Sequence, residues 1–310
     1  VHVNLAAPPI VAVLVSGEGD QVLLTGNESE RLRAEELPAG VEVRELAWSE
    51  APAGVAAEPD TLLEDQVADQ LRTARAPLLP GEIDRFRALG RDAARAMTEV
   101  LGRRTPDDTE QSVAAALTGA LVEAGAEPLV VLVGGVERIG YRHPLPTATP
   151  VGRRFMAVVG ARRHGLVINL TRWVRFDSGD AEERSADERI LGVEAAFLAA
   201  TVPGATLGEV FRAGCAGYAE HGFAADEWTR HHQGGIAGYN GRDPRALDGA
   251  TDRIVLDQAF AWNPTAPGCK VEDTVLLTER GIEALTVDPA WPTVTPAGST
   301  LPRPAVLELS

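Results

Sequence analysis

The chain has 310 residues and sets 45 Asp and Glu against 29 Lys and Arg, a formal charge of −16. An acidic surface repels phosphate backbones and anionic headgroups, so nucleic acid and membrane surfaces are excluded as expected partners. A hydrophobic fraction of 45% excludes wholesale disorder. Two cysteines, Cys215 and Cys269, build neither a disulfide framework nor a four-cysteine zinc site. Lys occurs once, at Lys270, while Arg, Ala, Gly and Pro abound, a bias that a GC-rich genome explains. No stretch reaches the roughly 18 apolar residues of a membrane helix. The N-terminus shows no secretory pattern, so a cytoplasmic protein is expected. The first residue is Val, which implies either an unusual start codon or residues preceding this numbering.

In chain order, the runs Ile10–Ser16 and Gln21–Thr25 read as strands of a hairpin around a Gly/Asp turn. A helix is expected over Asn27–Leu37 and a strand over Val41–Trp48. An Ala/Pro/Glu-rich stretch, Ser49–Pro59, leads into a helix from Asp60 to Arg75. Residues 1–75 therefore read as a small α/β domain and 76–310 as a second, larger one. In the latter, helices are expected at Gly81–Leu101 and Thr109–Ala124, then strands at Leu129–Val133, Phe155–Val159 and Leu166–Val174. Helices follow at Ala186–Ala200 and Thr206–His221, then strands at Ile254–Trp262 and Val271–Leu277. Helix pairs alternating with strand runs give an α+β class. Pro106-Asp107-Asp108-Thr109 is echoed by Pro203-Gly204-Ala205-Thr206, each with Thr placed as an N-cap. The echo points to an internal duplication whose halves share one core.

The histidines His2, His143, His164, His221, His231 and His232 are the first candidates for acid/base chemistry. His231-His232-Gln233-Gly234-Gly235 is unusual. Read as a strand, it would face only one of its two imidazoles toward a given pocket. A bland alternative is a glycine-rich turn with one solvent-facing and one hydrogen-bonded histidine. His143 lies in Tyr141-Arg142-His143-Pro144-Leu145-Pro146, a stiff extended loop suited to holding a titratable group, or simply a surface loop. Arg162-Arg163-His164 reads as an exposed turn, or as an entrance for an anion. Val133-Gly134-Gly135-Val136 is weak evidence for nucleotide binding. No His-Glu-x-x-His, Cys-x-x-Cys, phosphate loop or Gly-x-Ser-x-Gly elbow occurs.

Taken in order, these segments resemble the creatinase / aminopeptidase P / prolidase / methionine aminopeptidase superfamily, the pita-bread fold. His143 stands where that superfamily has its catalytic histidine. Met156 to Arg172 looks like its Asp-x-Gly…Gly-x-x-x-Asp-x-Thr-Arg segment. Asn263-Pro264 followed by Lys270-Val271-Glu272-Asp273-Thr274 and Thr278-Glu279-Arg280-Gly281 resembles its closing signature. The resemblance covers residues 76–290, and it implies a pita-bread domain with an internal pseudo-twofold behind a small creatinase-like N-terminal domain. A homodimer is implied as well, and a further strand and helix ahead of residue 1.

Peptidases of this fold hold two metal ions with two Asp, one His and two Glu. The resemblance maps those positions to Val158, Asn169, Gly235, Asn263 and Glu272, and so implies no metal and no other cofactor. The pattern is most similar to creatinase: His231-x-x-Gly234-x-x-x-x-Tyr239-x-Gly241-Arg242-Asp243. By that resemblance Arg242 binds a substrate carboxylate and His143 moves a proton. Glu272 polarises the reacting group or serves as a second acid/base, with His232 beside it. Asn169, Asn263, His231, Gln233 and Tyr239 line the substrate. Asn263 replaces a carboxylate at the guanidinium end of creatinase's site. The expected activity is metal-independent cleavage of a C–N bond in a small carboxylate-bearing molecule. A lyase or cyclase using the same pocket, or a binding or scaffold module without catalysis, is the alternative.

Overall fold

A computed structural model describes residues 10–56 and 61–309. His2, the end of the Ser49–Pro59 stretch and the start of the helix expected from Asp60 lie outside the described residues. The chain divides into two compact units, Val1–Ala74 and Arg75–Ser310.

In the first unit, β1 (Val11–Ser16) and β2 (Gly19–Thr25) form the expected hairpin. Helix α1 (Gly26–Glu35) returns the chain so that β3 (Glu42–Leu46) pairs parallel with β2. The central strand β2 is covered on both faces. Val22 and Leu24 pack with Leu32 on one side, and Leu23 packs with Leu46 and Ala56 on the other. A short helix α2 (Pro52–Ala56) went unanticipated. The long helix expected to end at Arg75 is instead a 3-10 turn, Glu64–Val67, running into α3 (Ala68–Arg75). The Gln66 side chain accepts the Leu63 N–H at 2.8 Å and starts that turn. Neither piece has a buried residue to hold a longer helix in place.

The second unit is built twice over. Helices α4 (Pro80–Leu101) and α5 (Glu110–Glu123) lead into β4 (Glu127–Gly135), β5 (Arg154–Arg163) and β6 (Leu166–Arg175). Helices α6 (Ala181–Ala200) and α7 (Leu207–Glu220) lead into β7 (Gly234–Ala237) and β8 (Gln258–Trp262). The short strands β9 (Thr265–Ala266) and β10 (Cys269–Lys270) follow, then β11 (Asp273–Thr278) and β12 (Gly281–Ala284). The tail adds β13 (Thr293–Val294), β14 (Arg303–Pro304) and β15 (Leu307–Glu308). The two four-stranded sheets run β15-β6-β5-β4 and β12-β11-β8-β7. No helix among the described residues is long and apolar enough to cross a membrane.

The duplication is written in hydrogen bonds. Thr109 accepts the Ser112 N–H at 3.1 Å and caps α5; Thr206 accepts the Glu209 N–H at 3.2 Å and caps α7. Each threonine also bridges a segment before the next strand, Thr109 with Pro150 and Thr206 with Arg253. Around the bridges Val151 donates to Asp108 and Glu110 to Thr149, as Ile254 donates to Ala205 and Leu207 to Asp252. The expectation of one shared core needs correcting. The larger cluster is shared, since Ala237, Ala259, Ala261 and Leu276 of the second half join α4, α5, β5 and β6. A second cluster, from Ile190 to Leu277, belongs to the second half alone. Alternation along β8 explains the split: Ala259 and Ala261 face the first half, while Phe260 and Trp262 face α6 and α7.

Both threonines cap through the side-chain oxygen, and at Thr206 the Glu209 carboxylate also accepts the Thr206 N–H at 2.7 Å. Thr109→Ala and Thr206→Ala are each expected to lower unfolding free energy by about 1 kcal/mol, and to add in the double variant. Urea titration of the three variants checks this.

Candidate active site

Three imidazoles meet where a loop of the first half reaches the second. The His143 loop is seated by residues that sequence reasoning missed. Glu110, fully buried at the start of α5, accepts the Gly135 N–H at 2.8 Å, the Thr147 N–H at 2.9 Å and the Thr147 hydroxyl at 2.6 Å. The Arg138 guanidinium also pairs with it. Burial pushes the Glu110 carboxyl upward, but these hydrogen bonds and Arg138 hold it below its ordinary value. Gly134 completes the seat. A Cβ there would lie 2.6 Å from Pro144 Cγ, so the glycine pair that ends β4 serves close packing of this loop. Arg142 donates to Thr265 at 3.3 Å and pairs with the buried Glu227.

His143 then lies exposed, with its Nε2 2.9 Å from His231 Nε2. His231 and His232 do not splay to opposite faces as a strand would require. They precede β7, and their rings stack with centroids 4.4 Å apart. His232 comes within 5.9 Å of the His143 ring. Gln233 fixes this turn: it donates to the carbonyls of Trp228 and His231 at 3.0 and 2.7 Å and accepts from Tyr218 at 2.8 Å. Gly235, with φ 149°, passes so near the Pro244 carbonyl that a Cβ would stand 2.4 Å from it. His231 Nδ1 and His232 Nδ1 are buried without a hydrogen-bond partner.

Beside the imidazoles lies one buried carboxylate between two cations. Glu272, 3% exposed, accepts from Arg242 at 2.7 Å on Oε1; on Oε2 it accepts from Thr171 at 2.9 Å and meets Lys270 Nζ at 3.0 Å. Lys270 was overlooked as a site residue. Its signal was its singularity, the one Lys in a chain that uses Arg everywhere else. Burial would raise the Glu272 carboxyl, yet Lys270 and Arg242 outweigh burial and hold it at about 2. Burial and Lys270 push His231 down to about 2, and burial and Arg242 push His232 down to about 4. His143 is lowered by burial and Lys270 as well. At neutral pH all three imidazoles are therefore uncharged.

The remaining expected residues are placed as follows. Asn263, 1% exposed, donates its N–H to the Gln233 carbonyl at 3.1 Å, and its Oδ1 is buried without a partner. Asn169 on β6 donates from Nδ2 to the Gly241 carbonyl at 3.5 Å. Val158 packs with Leu132, Met156 and Trp173. Tyr239 donates its hydroxyl to Glu82 at the start of α4. Arg162 pairs with Glu127 at 2.6 Å and Arg163 with Asp92 at 2.8 Å, which ties the β5–β6 turn to the body of the unit.

The sequence profile of Metallopeptidase family M24 matches residues 84–279, more than half of the chain. No curated protein sequence matches it. Among solved structures, the prolidase from Pyrococcus furiosus superposes with a TM-score of 0.75 at 18% identity, covering 90% of this chain and 90% of that one. Dipeptidase PepE from Mycobacterium ulcerans gives 0.72 at 20% identity, covering 96% and 87%. Methionine aminopeptidase from Rickettsia prowazekii gives 0.57 at 15% identity, covering 67% and 98%. These likenesses show the pita-bread fold.

The depressed imidazoles fix a pH dependence. A histidine whose folded value lies below its unfolded value of about 6.5 leaves the unfolded chain with more bound protons. Stability from His231 and His232 is thus present above pH 6.5 and is lost as pH falls toward about 4 and about 2. Thermal melts between pH 7 and pH 4.5 should show a steeper decline for the native sequence than for the His231→Gln/His232→Gln variant. Equal slopes would contradict the assignment.

Proposed function

Because the chain belongs to metallopeptidase family M24, yet sets two cations and three neutral imidazoles around one carboxylate, we propose that it is a metal-independent, creatinase-like enzyme. Its substrate is a small molecule bearing a carboxylate, and its reaction is hydrolysis of a C–N bond. The observation that carries this reading is Glu272 held between Lys270 and Arg242.

The family name implies metal, and the residues of this site do not fit a dinuclear centre. Val158 belongs to an apolar cluster, Gly235 has no side chain, and Asn169 and Asn263 are neutral amides. Glu272 already has a cation on each oxygen. Hard divalent ions take carboxylate and carbonyl oxygens, and a pair of them shares more carboxylates than the single, already paired one here. His143, His231 and His232 bring ligand nitrogens within 4.8 Å of one another, enough in geometry for a single ion. Lys270 and Arg242 oppose a further positive charge there, and two of the imidazoles already share a hydrogen bond. The excess positive charge favours an anion instead. A substrate carboxylate matches that charge, with Arg242 Nε, buried and unpaired, as a donor to one of its oxygens.

His143 is the group that moves a proton. It is neutral and exposed, and its Nε2 is oriented by His231. Water adds to the carbon of the scissile bond, and His143 takes the water's proton. The C–N bond then breaks and the proton passes to the leaving nitrogen. A carboxylate held at about 2 is a weak base, so Glu272 fixes Lys270, Arg242 and Thr171 and polarises the bound group. His232 borders the reacting centre, and Asn169 supplies a neutral hydrogen bond.

Turnover of small carboxylate-bearing amides, ureas and amidines should survive chelation. It should fall below detection in His143→Ala with the melting temperature nearly unchanged. Manganese or zinc analysis should find less than one ion per chain. Two tightly held ions, or turnover that requires added metal, would defeat the proposal; carboxylate binding without any turnover would make the protein a binding module.

A further inference from the structure

We infer that the substrate carries a neutral carboxamide or urea nitrogen at the end remote from its carboxylate, rather than a guanidinium or an ammonium. This rests on the reading of the site as a pocket for a carboxylate-bearing molecule, and it names the chemistry of the opposite end.

The first observation is the orphaned amide oxygen. Asn263 Oδ1 is buried with no hydrogen-bond partner, in a residue 1% exposed. A buried acceptor left unpaired costs about 1–3 kcal/mol, which a ligand N–H would recover. The backbone fixes where this residue stands. Trp262↔Asp273 is the last pair of the β8–β11 ladder, and Asn263 and Glu272 are the residues one step beyond it on the two strands. Its own N–H is held by the Gln233 carbonyl at 3.1 Å, next to His232.

The second observation is that, among the described residues of the site, every carboxylate that could meet a cationic nitrogen is already paired. Glu272 is engaged by Arg242 and Lys270. Glu227 is engaged by Arg142 and by Arg230 at 2.9 Å, and Asp243 by Arg75 at 3.1 Å. Arg245 adds a further positive field at His143 and His232. A guanidinium entering here meets like charge and no free carboxylate. A carboxamide or urea offers the same N–H geometry without charge, and its carbonyl oxygen accepts from a neutral imidazole or from the spare Lys270 protons.

N-carbamoylglycine and guanidinoacetate test this directly. They share one shape and differ only in a carbonyl oxygen against a charged imino nitrogen. Titrated calorimetrically into the full chain, the carbamoyl acid should bind about tenfold more tightly, the size of one buried hydrogen bond. Asn263→Asp should erase or reverse the preference, because it returns a carboxylate to the nitrogen end. Asn263→Leu, which deletes an acceptor both acids use, should weaken both while leaving the carbamoyl preference in place, and it serves if the aspartate variant does not fold. Equal or tighter binding of guanidinoacetate to the native sequence would overturn the inference while leaving the carboxylate pocket intact. A preference unchanged in folded Asn263→Asp, or carbamoyl binding that is not weakened in folded Asn263→Leu, would overturn it too. Failure of both acids to bind would overturn the inference and the carboxylate reading together.

Discussion

The site depends on the seam where strand β6 of the first half crosses strand β11 of the second. Two dipeptides meet there, Thr171-Arg172 and Glu272-Asp273. The Thr171 N–H donates to the Glu272 carbonyl at 2.9 Å, and the Asn169 N–H donates to the Thr274 hydroxyl at 2.8 Å. Successive side chains of a strand point to opposite faces, so each dipeptide serves two environments. Thr171 and Glu272 meet on the site side. Arg172 and Asp273 meet on the other at 2.9 Å, where Arg303 bridges Asp273 at 2.7 Å and Glu194 at 2.6 Å. All four of those side chains are at most 2% exposed. Removing one member of such a buried pair typically costs about 3–5 kcal/mol, because the other is left uncompensated. The register that presents Glu272 to Lys270 and Arg242 is therefore locked from behind.

That lock explains how an acidic protein maintains a locally positive buried cluster. The net charge of −16 is a sum over the whole chain. Within the site, one carboxylate faces two buried cations, and the imidazoles add nothing because they are neutral. Burial alone would protonate Glu272, and the two cations prevent it. Each charge in the cluster is thus kept by the others, and the surplus is available to an anion. Whole-chain charge predicts nothing about this, since it sums over residues that solvent screens from the site.

Local chemistry made much of the fold legible. Thr109 and Thr206 announced two helix starts through the same capping requirement, and the apolar runs of β5, β6, β8 and β11 were long enough to read. The threonine echo also exposed the duplication, because equivalent bridges need equivalent residues at equivalent offsets. His143 and the Glu272-Asp273 dipeptide were legible through the order of landmarks along the chain. What stayed hidden depends on contacts between distant segments. Strand β7 is four residues long and half glycine, with no periodicity to detect. The stacking of His231 on His232 depends on where Gln233 finds its three partners. Lys270 looked like a compositional accident until Glu272 stood 3.0 Å from it. Arg242 was expected to face a ligand, and half of its fork faces Glu272 instead.

The duplication also shows where symmetry had to break. The residue after the first capping threonine is Glu110, whose carboxylate reaches across to Gly135 and Thr147 and ties down the loop of His143. The residue after the second is Leu207, buried with Val210 and Phe211 in the second core. Both residues donate the equivalent backbone hydrogen bond, so the scaffold is preserved while the side chain is free to differ. The first half uses that freedom to hold the loop that carries His143. The loop at the equivalent place in the second half, between β7 and β8, carries Arg242 instead. That half fixes its histidine turn through Gln233, and spends the equivalent position on apolar packing beneath α7. One fold, copied, thus yields one half that presents an imidazole on a tether and another that presents the buried cluster of Arg242, Lys270 and Glu272 beside it.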